Sequence, residues 1–453
     1  MSKKYEIDMC SGAILPKLLK LVLPLMLSSV LQLLFNAADI IVVGNFASEN
    51  SLAAVGSTTA LVNLMTNLFL GLSTGANVLC SRYMGAKDGE NVSKTIHTSI
   101  FLSISCGALM TVIGFTMAKP LLMLMQTPSE VISLSALYLR IYFCGSIAMM
   151  IYNFGSSILR SKGDTKRPLY FLAAAGVINV CLNLVFVIIL KMDVAGVALA
   201  TVISQCISAV LIMFCLIRET DAYKFSFKKL RPNKKILFKI LQVGLPAGLQ
   251  GMVFSLSNVV VQSSVNSFGP VVMAGSAAAA SIEGVVWGSM NAVSQGALTF
   301  TSQNVGGGNY SRINRIAFIS CASAALAGLV FGNLAYFFGE NLLAIYDPRA
   351  EILAPGLTRM QMVCGFYFLC GLMDCIVGSI RGMGYAVTPT VVSLLGACGL
   401  RILWIATVFR IPQFHTELYL FMSYPVSWAI TFLTHCICYI FMRRKYPKKD
   451  LAL

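Results

Sequence analysis

The sequence predicts an all-α polytopic membrane protein. Twelve transmembrane helices form two six-helix lobes related by a pseudo-two-fold axis along the membrane normal. Three observations predict it. Of 453 residues, 57% are hydrophobic and only 11% charged, where a soluble domain has about a quarter charged. Apolar runs of roughly 20 residues recur along the whole chain, long enough to cross the hydrocarbon core as helices. The two halves of the chain repeat one another. Alternating ~10-residue segments of a membrane barrel are not seen, so helices are the spanning form.

Spans are expected at 17–45, 52–79, 95–118, 131–158, 168–190, 195–217, 238–264, 273–303, 315–338, 353–380, 389–411 and 418–442. An even number puts both termini on one side. The loops of that side hold 27 of the 34 basic residues, including the cluster Arg218–Lys239. By the positive-inside rule both termini are cytoplasmic, and the protein is expected in the plasma (inner) membrane. The formal charge of +16 is then a topology signal, and no nucleic-acid partner is expected. The 14 cysteines lie mostly inside spans with no matched CxxC pairs, so they read as packing residues. Lysines precede the first apolar run, but no small-residue cleavage site follows, so a retained helix is expected and not a signal peptide.

The polar stretch Arg218–Lys235 divides the chain. The expected domains are 1–217 as an N-terminal lobe, 218–237 as a cytoplasmic linker against anionic headgroups, and 238–453 as a C-terminal lobe. Leu23-Pro24, Asn36 and Phe46 match Leu245-Pro246, Asn258 and Phe268 at an offset of 222. Ser73, Gly75 and Ala76 match Ser294, Gly296 and Ala297 at 221, as do Arg160, Gly163 and Pro168 with Arg381, Gly384 and Pro389. Matches in one order at nearly constant spacing mark an internal repeat. Six spans per half give both halves one orientation and a cleft between them, as in parallel transporter repeats. Gly306-Gly307-Gly308 is followed by no Gly-Lys-Ser/Thr, so no phosphate loop is present and no ATP engine is visible.

The first span carries the chemistry. Gln32, Asn36 and Asp39 fall at i, i+4 and i+7, one polar stripe on an apolar helix. No Lys or Arg lies three or four residues from Asp39, so its carboxylate is costly at bilayer depth unless it serves a function. Pro24, earlier on the same helix, removes a backbone hydrogen bond and supplies a hinge. Asn179 and Asn183 share a helix face. Three further charges lie in the second half: Glu283, Asp374 and Arg401. Either an Arg401–Asp374 or an Arg401–Glu283 ion pair is expected. The acid left over, with Glu283 the preferred one, would meet cargo or a coupling ion.

These residues resemble the MATE (multidrug and toxic compound extrusion) transporters. The resemblance rests on Asn36–Gly44 with Leu52–Gly56, on Leu159–Thr165 before Pro168, on Asn179–Asn183, on Gly296-Ala297 through Gln303–Gly306, and on Ile380–Gly384. It covers nearly the whole chain. It implies two lobes around a V-shaped cleft and efflux of organic cations or amphipathic drugs in exchange for H⁺ or Na⁺. It also implies an ion-coupling site at Asp39, Asn179, Asn183 and Thr201; the helix stripe adds Asn36 to that site, and the residues themselves put forward Gln32, Glu283, Asp374 and Arg401 as substrate or second-charge positions. Asn183 stands where relatives often carry Asp, which weakens a Na⁺ cage and leaves a protonatable Asp39 as the simpler coupling group.

The expectation is therefore a secondary active exporter and not an enzyme. It would work as a monomer in the bilayer, without cofactor and with no metal beyond Na⁺ at Asp39. A proton reaching Asp39 would neutralise it, let the first helix repack, and release cargo outward. A lipid-linked sugar flippase of the same superfamily is the alternative, disfavoured by the lack of a basic cleft. A channel or membrane-embedded enzyme would need filter loops or clustered His/Asp/Glu motifs.

Overall fold

The structure, a computed structural model, describes residues 5–125 and 127–450, and is helical with no strand among them. Ten of its helices are long and apolar enough to cross a membrane, and two bent helix pairs complete twelve spans. The chain divides into two compact units, residues 5–8 with 30–248 and residues 9–29 with 249–450.

The first unit contains α1 (Ile14–Phe46) from Val30 onward, α2 (Glu49–Gly85), α3 (Gly89–Leu124), α4 (Ser129–Cys144), α5 (Ser146–Ser161), α6 (Lys166–Asn183), α7 (Asp193–Ile217) and α8 (Lys234–Asn266) as far as Gly248. Side-chain caps start two of them: Ser48 accepts from the Ser51 N–H and Asp88 from the Asn91 N–H, satisfying donors that a helix start leaves open. The second unit holds the first part of α1 and the rest of α8. Then come α9 (Pro270–Gly306), α10 (Arg312–Phe337), α11 (Gly339–Ala344), α12 (Ala350–Val363), α13 (Tyr367–Gly382), α14 (Val387–Ser393), α15 (Leu400–Ala406) and α16 (Glu417–Arg443).

The continuous helices expected over 131–158 and 353–380 are each two helices. α4 and α5 meet at 47° at Gly145, and α12 and α13 at 44° across a break that holds Gly365. Glycine, without a Cβ, is a recurrent site of such bends.

Close packing explains how each unit takes up part of a leading helix. In the first unit, Gly71 and Gly75 of α2 face Gly244 and Gly248 of α8. A Cβ added at Gly71 would lie 2.0 Å from the Gly248 nitrogen, and one at Gly75 2.3 Å from the Ile240 carbonyl oxygen. Two small-xxx-small faces meet backbone to backbone, the membrane solution for helix contact where apolar burial gives no net gain over lipid. In the second unit, Gly296 of α9 lies against Leu18 and Val22 of α1. Pro24 and Pro246 each lie within a few positions of the point where their helix passes from one unit to the other.

Two loops are less solvated than their charges suggest. Lys162, in the basic turn after α5, is fully buried against Glu219 (2.5 Å) and Glu6 (3.5 Å). The linker is pinned at Phe225, which stacks on His97 of α3 at 5.2 Å, while the Ser226 N–H donates to His97 Nε2.

Substituting Gly71→Leu or Gly248→Leu is expected to destabilise the protein by on the order of 3 kcal/mol through overpacking. Thermal unfolding in detergent reads this. The Gly56→Leu control should keep the wild-type midpoint, because a Cβ there meets nothing within 4 Å. Equal midpoints for all three variants would contradict the contact.

Candidate functional site

A cavity of about 330 Å³ lies within the first unit. Its polar wall comes from α1 (Gln32, Asn36, Asp39), α2 (Asn63, Thr66), α5 (Asn153), α6 (Asn179) and α7 (Thr201, Gln205). The local packing of α1 on α6 sets its register. The Phe35 ring packs on Gly176, where an added Cβ would fall 1.8 Å from the ring. Phe35 is one turn before Asp39, and Gly176 is about one turn before Asn179, so seating the ring brings the carboxylate to the polar face of α6.

A chain of hydrogen bonds follows. The Asn183 amide donates to Asp39 Oδ1 at 2.5 Å and to Asn179 Oδ1 at 3.3 Å. The Asn179 amide donates to Thr201 Oγ1 at 3.5 Å, and Thr201 donates to the Val197 carbonyl. Asn183 is the last residue of α6 before a wide π-turn over Leu184–Ile189, a distortion often found at functional sites. Asn183 is fully buried, and its Oδ1 has no hydrogen-bond partner.

Electrostatically the site is one carboxylate without a base. Among the described lining residues none is Lys, Arg or His. About one turn beyond it on α1, Val42 and Val43 belong to one apolar cluster with Val187 of the π-turn and Val194 and Val197 of α7. An ionised carboxylate in such surroundings is held mainly by the Asn183 amide. Taking up a proton or a monovalent cation removes that cost. A protonated Asp39 would need an acceptor, and rotating the Asn183 amide about its last bond presents the orphaned Oδ1 to it. The oxygens of Asp39, Asn179, Asn183 and Thr201 are also the donor type that hard cations choose.

The second unit departs from expectation. Glu283 is not the free acid. Arg359 of α12 clamps it from two nitrogens at 2.8 and 2.7 Å and also donates to Ser276 at 2.7 Å. The Arg359 and Glu283 side chains are only 8% and 6% exposed. Neither expected Arg401 pair forms among the described residues. Arg401 donates to Ser427 and lies over the Tyr424 and Trp428 rings at 4.1 and 5.5 Å. It shares a cavity of about 110 Å³ with Asp374, Asn258 and Trp287, and no ion pair joins Asp374 to it. The structure thus gathers Asp374 and Arg401 but sends Glu283 elsewhere. Arg359 is not among the charges singled out from the sequence. Its place inside the span at 353–380 is the signal that it needs a buried partner.

A carboxylate with no base beside it in a polar-walled cavity, inside one of two compact units that each hold five whole spans and a part of α1 and α8, fits a membrane transport protein. The sequence profile of the MatE family matches residues 24–185 and 246–407, two segments displaced by the same offset as the internal repeat. The chain belongs to this family. It is 29% identical over 398 residues to the probable multidrug resistance protein YpnP of Bacillus subtilis strain 168, covering 87% of this chain and 88% of that one. It is 28% identical over 441 residues to the probable multidrug resistance protein YoeA of the same organism, covering 95% and 93%. Among solved structures it matches one described as the outward-facing conformation of a multidrug resistance MATE family transporter of the MOP superfamily. That match has a TM-score of 0.89 and 21% identity, over 96% of this chain and 98% of the other. A MATE crystallised in complex with MaL6 matches with the same TM-score at 20% identity, again over 96% and 98%. The twelve-helix, two-lobe fold is that of these structures.

Removing one partner of the Glu283–Arg359 pair strands the other charge. Arg359→Met is expected to cost about 3–5 kcal/mol, and the double variant Arg359→Met/Glu283→Met to recover much of it. A thermal-unfolding double-mutant cycle checks this, and additive losses would contradict a mutually compensating pair.

Proposed function

We propose that the protein is a secondary active exporter of organic cations or amphipathic drugs, driven by H⁺ exchange through Asp39, in the plasma membrane with both termini cytoplasmic. The observation that carries the reading is the Asp39–Asn183–Asn179–Thr201 chain, in which buried Asn183 links Asp39 to Asn179 behind the wall of a cavity whose described lining holds one acid and no base. The multidrug names of the relatives support the cargo class. The basic residues clustered at 218–239 and 443–449 support the orientation.

The ionised Asp39 gives the cavity its single negative charge, which attracts a cationic cargo and is kept in place by the Asn183 amide. Protonation removes that charge and turns an acceptor into a donor. Asn183 answers by offering its oxygen, and the α1 segment beyond Pro24 repacks on α6 and α7. Cargo and proton compete for one carboxylate, and that competition is the coupling: a site with no differential affinity for the two would shift no equilibrium.

A Na⁺ reading draws on one specific observation, the unpartnered Asn183 Oδ1 beside three further oxygens. Reconstituted vesicles loaded with a fluorescent organic cation separate the two. Efflux is expected under an imposed pH gradient and to be absent under a Na⁺ gradient alone; the reverse result would move the coupling to Na⁺. Asp39→Asn should abolish gradient-driven efflux under either gradient while leaving the protein folded. Wild-type efflux in that variant would remove Asp39 from coupling.

A further inference from the structure

The cytoplasmic end of the second unit, in the orientation proposed above, carries a second and larger cavity that the proposed exchange does not use. It measures about 510 Å³ and is lined by Ser311, Asn314, Tyr439, Arg443, Arg444 and Lys448, among others. The chemistry of the wall is cationic. Arg443 spends its terminal nitrogens on the carbonyls of Tyr310, Tyr446 and Pro447, and its Nε has no hydrogen-bond partner. Arg444 and Lys448 are exposed and form no ion pair among the described residues. Tyr439 donates to Asn314 at 3.0 Å and fixes that side of the wall.

The chain itself shows how an anion is held at this rim. The Asp450 carboxylate accepts from the Ser311 N–H and from the Ser311 hydroxyl, both at 2.7 Å, just ahead of α10. These two bonds hold the Asp450 carboxyl below the usual carboxylate range, so it stays ionised at neutral pH. One oxygen-rich anion group therefore already sits at the edge of a basic cavity far larger than that group. Along the last turns of α16, Ile437, Ile440 and Phe441 are each more than half exposed. They offer an apolar track that leads away from the cations.

We propose that this cavity binds the phosphate of an anionic phospholipid. Arg443, Arg444 and Lys448 supply the charge, the apolar face of α16 carries the acyl chains, and the Asp450 carboxylate competes for the Ser311 donors. Phosphate is the shared chemistry. The apolar track, which a soluble phosphate would not use, selects a lipid as its source. Juxtamembrane basic clusters bind acidic headgroups by this combination of charge and depth.

Native mass spectrometry of the full chain with added phosphatidylglycerol tests this. Phosphatidylglycerol should be retained over phosphatidylcholine, and occupancy should fall about tenfold in Arg444→Gln/Lys448→Gln. Asp450→Asn should raise it severalfold. Charge-preserving Arg444→Lys/Lys448→Arg should keep it, and the control Lys119→Gln/Lys191→Gln, at exposed lysines away from this cavity, should leave it unchanged. Inorganic phosphate at equal concentration should not displace the lipid. Unchanged occupancy in the Arg444→Gln/Lys448→Gln variant, or equal retention of the two lipids, would overturn the site. Displacement by inorganic phosphate would overturn the lipid as its source.

Discussion

The hydrogen bond from Asn183 to Asp39 is the contact around which the first unit is built. It joins the one charged group in the cavity to a buried amide that can both donate and accept. Everything near it serves its geometry. Gly176 lets the Phe35 ring seat and sets the register of α1 on α6. The π-turn after Asn183 interrupts regular helix where that amide must turn. Val42 and Val43, about one turn beyond Asp39 on α1, join the valines of α7 and the π-turn in one apolar cluster, so the helix turn next to the carboxylate packs in apolar surroundings. In water the same pair would be worth little.

The two units treat charge differently although their sequences repeat. In the second unit the buried acid Glu283 is compensated by Arg359, an arrangement whose loss is costly but which offers nothing to titrate against a gradient. Arg401 is placed on aromatic faces, where a guanidinium is stabilised without a carboxylate. Asn36 and Asn258 occupy matching places, and each lines its own unit's cavity. Asp39 has no such echo, because Val261 stands at the matching position and is buried. The repeat thus supplies a common scaffold, and the difference at Asp39/Val261 gives the first unit's cavity a carboxylate with no base in its described lining, whereas Asp374 in the second shares its cavity with Arg401.

Much of this was legible in the sequence, for identifiable reasons. Spans are visible because hydropathy is summed over the full width of the bilayer, and the repeat because Pro24/Pro246 and Asn36/Asn258 keep their spacing. Gln32, Asn36 and Asp39 were legible as a stripe because helical periodicity relates residues on one helix. Pairing between helices is not encoded in any one helix's period. Arg359 was hidden for that reason, since a single charge barely alters an apolar window, and Glu283 was preferred as the acid left unpaired, although Arg359 clamps it. The contact of Gly71 and Gly75 with Gly244 and Gly248 joins segments far apart in the chain and leaves no local signature. The bends at Gly145 and Gly365 were missed because a lone glycine in an apolar run reads equally as straight helix.

The central claim is that Asp39 alternates between a hydrogen-bonded carboxylate and a neutral carboxylic acid within the working range of the protein. Difference infrared spectroscopy of the reconstituted chain across a pH titration measures this directly through the carbonyl stretch of a protonated carboxyl. The claim predicts that the wild-type spectrum minus that of Asp39→Asn leaves a band that grows as pH falls and weakens when an organic cation is added. Identical wild-type and Asp39→Asn spectra at every pH where efflux runs would contradict it.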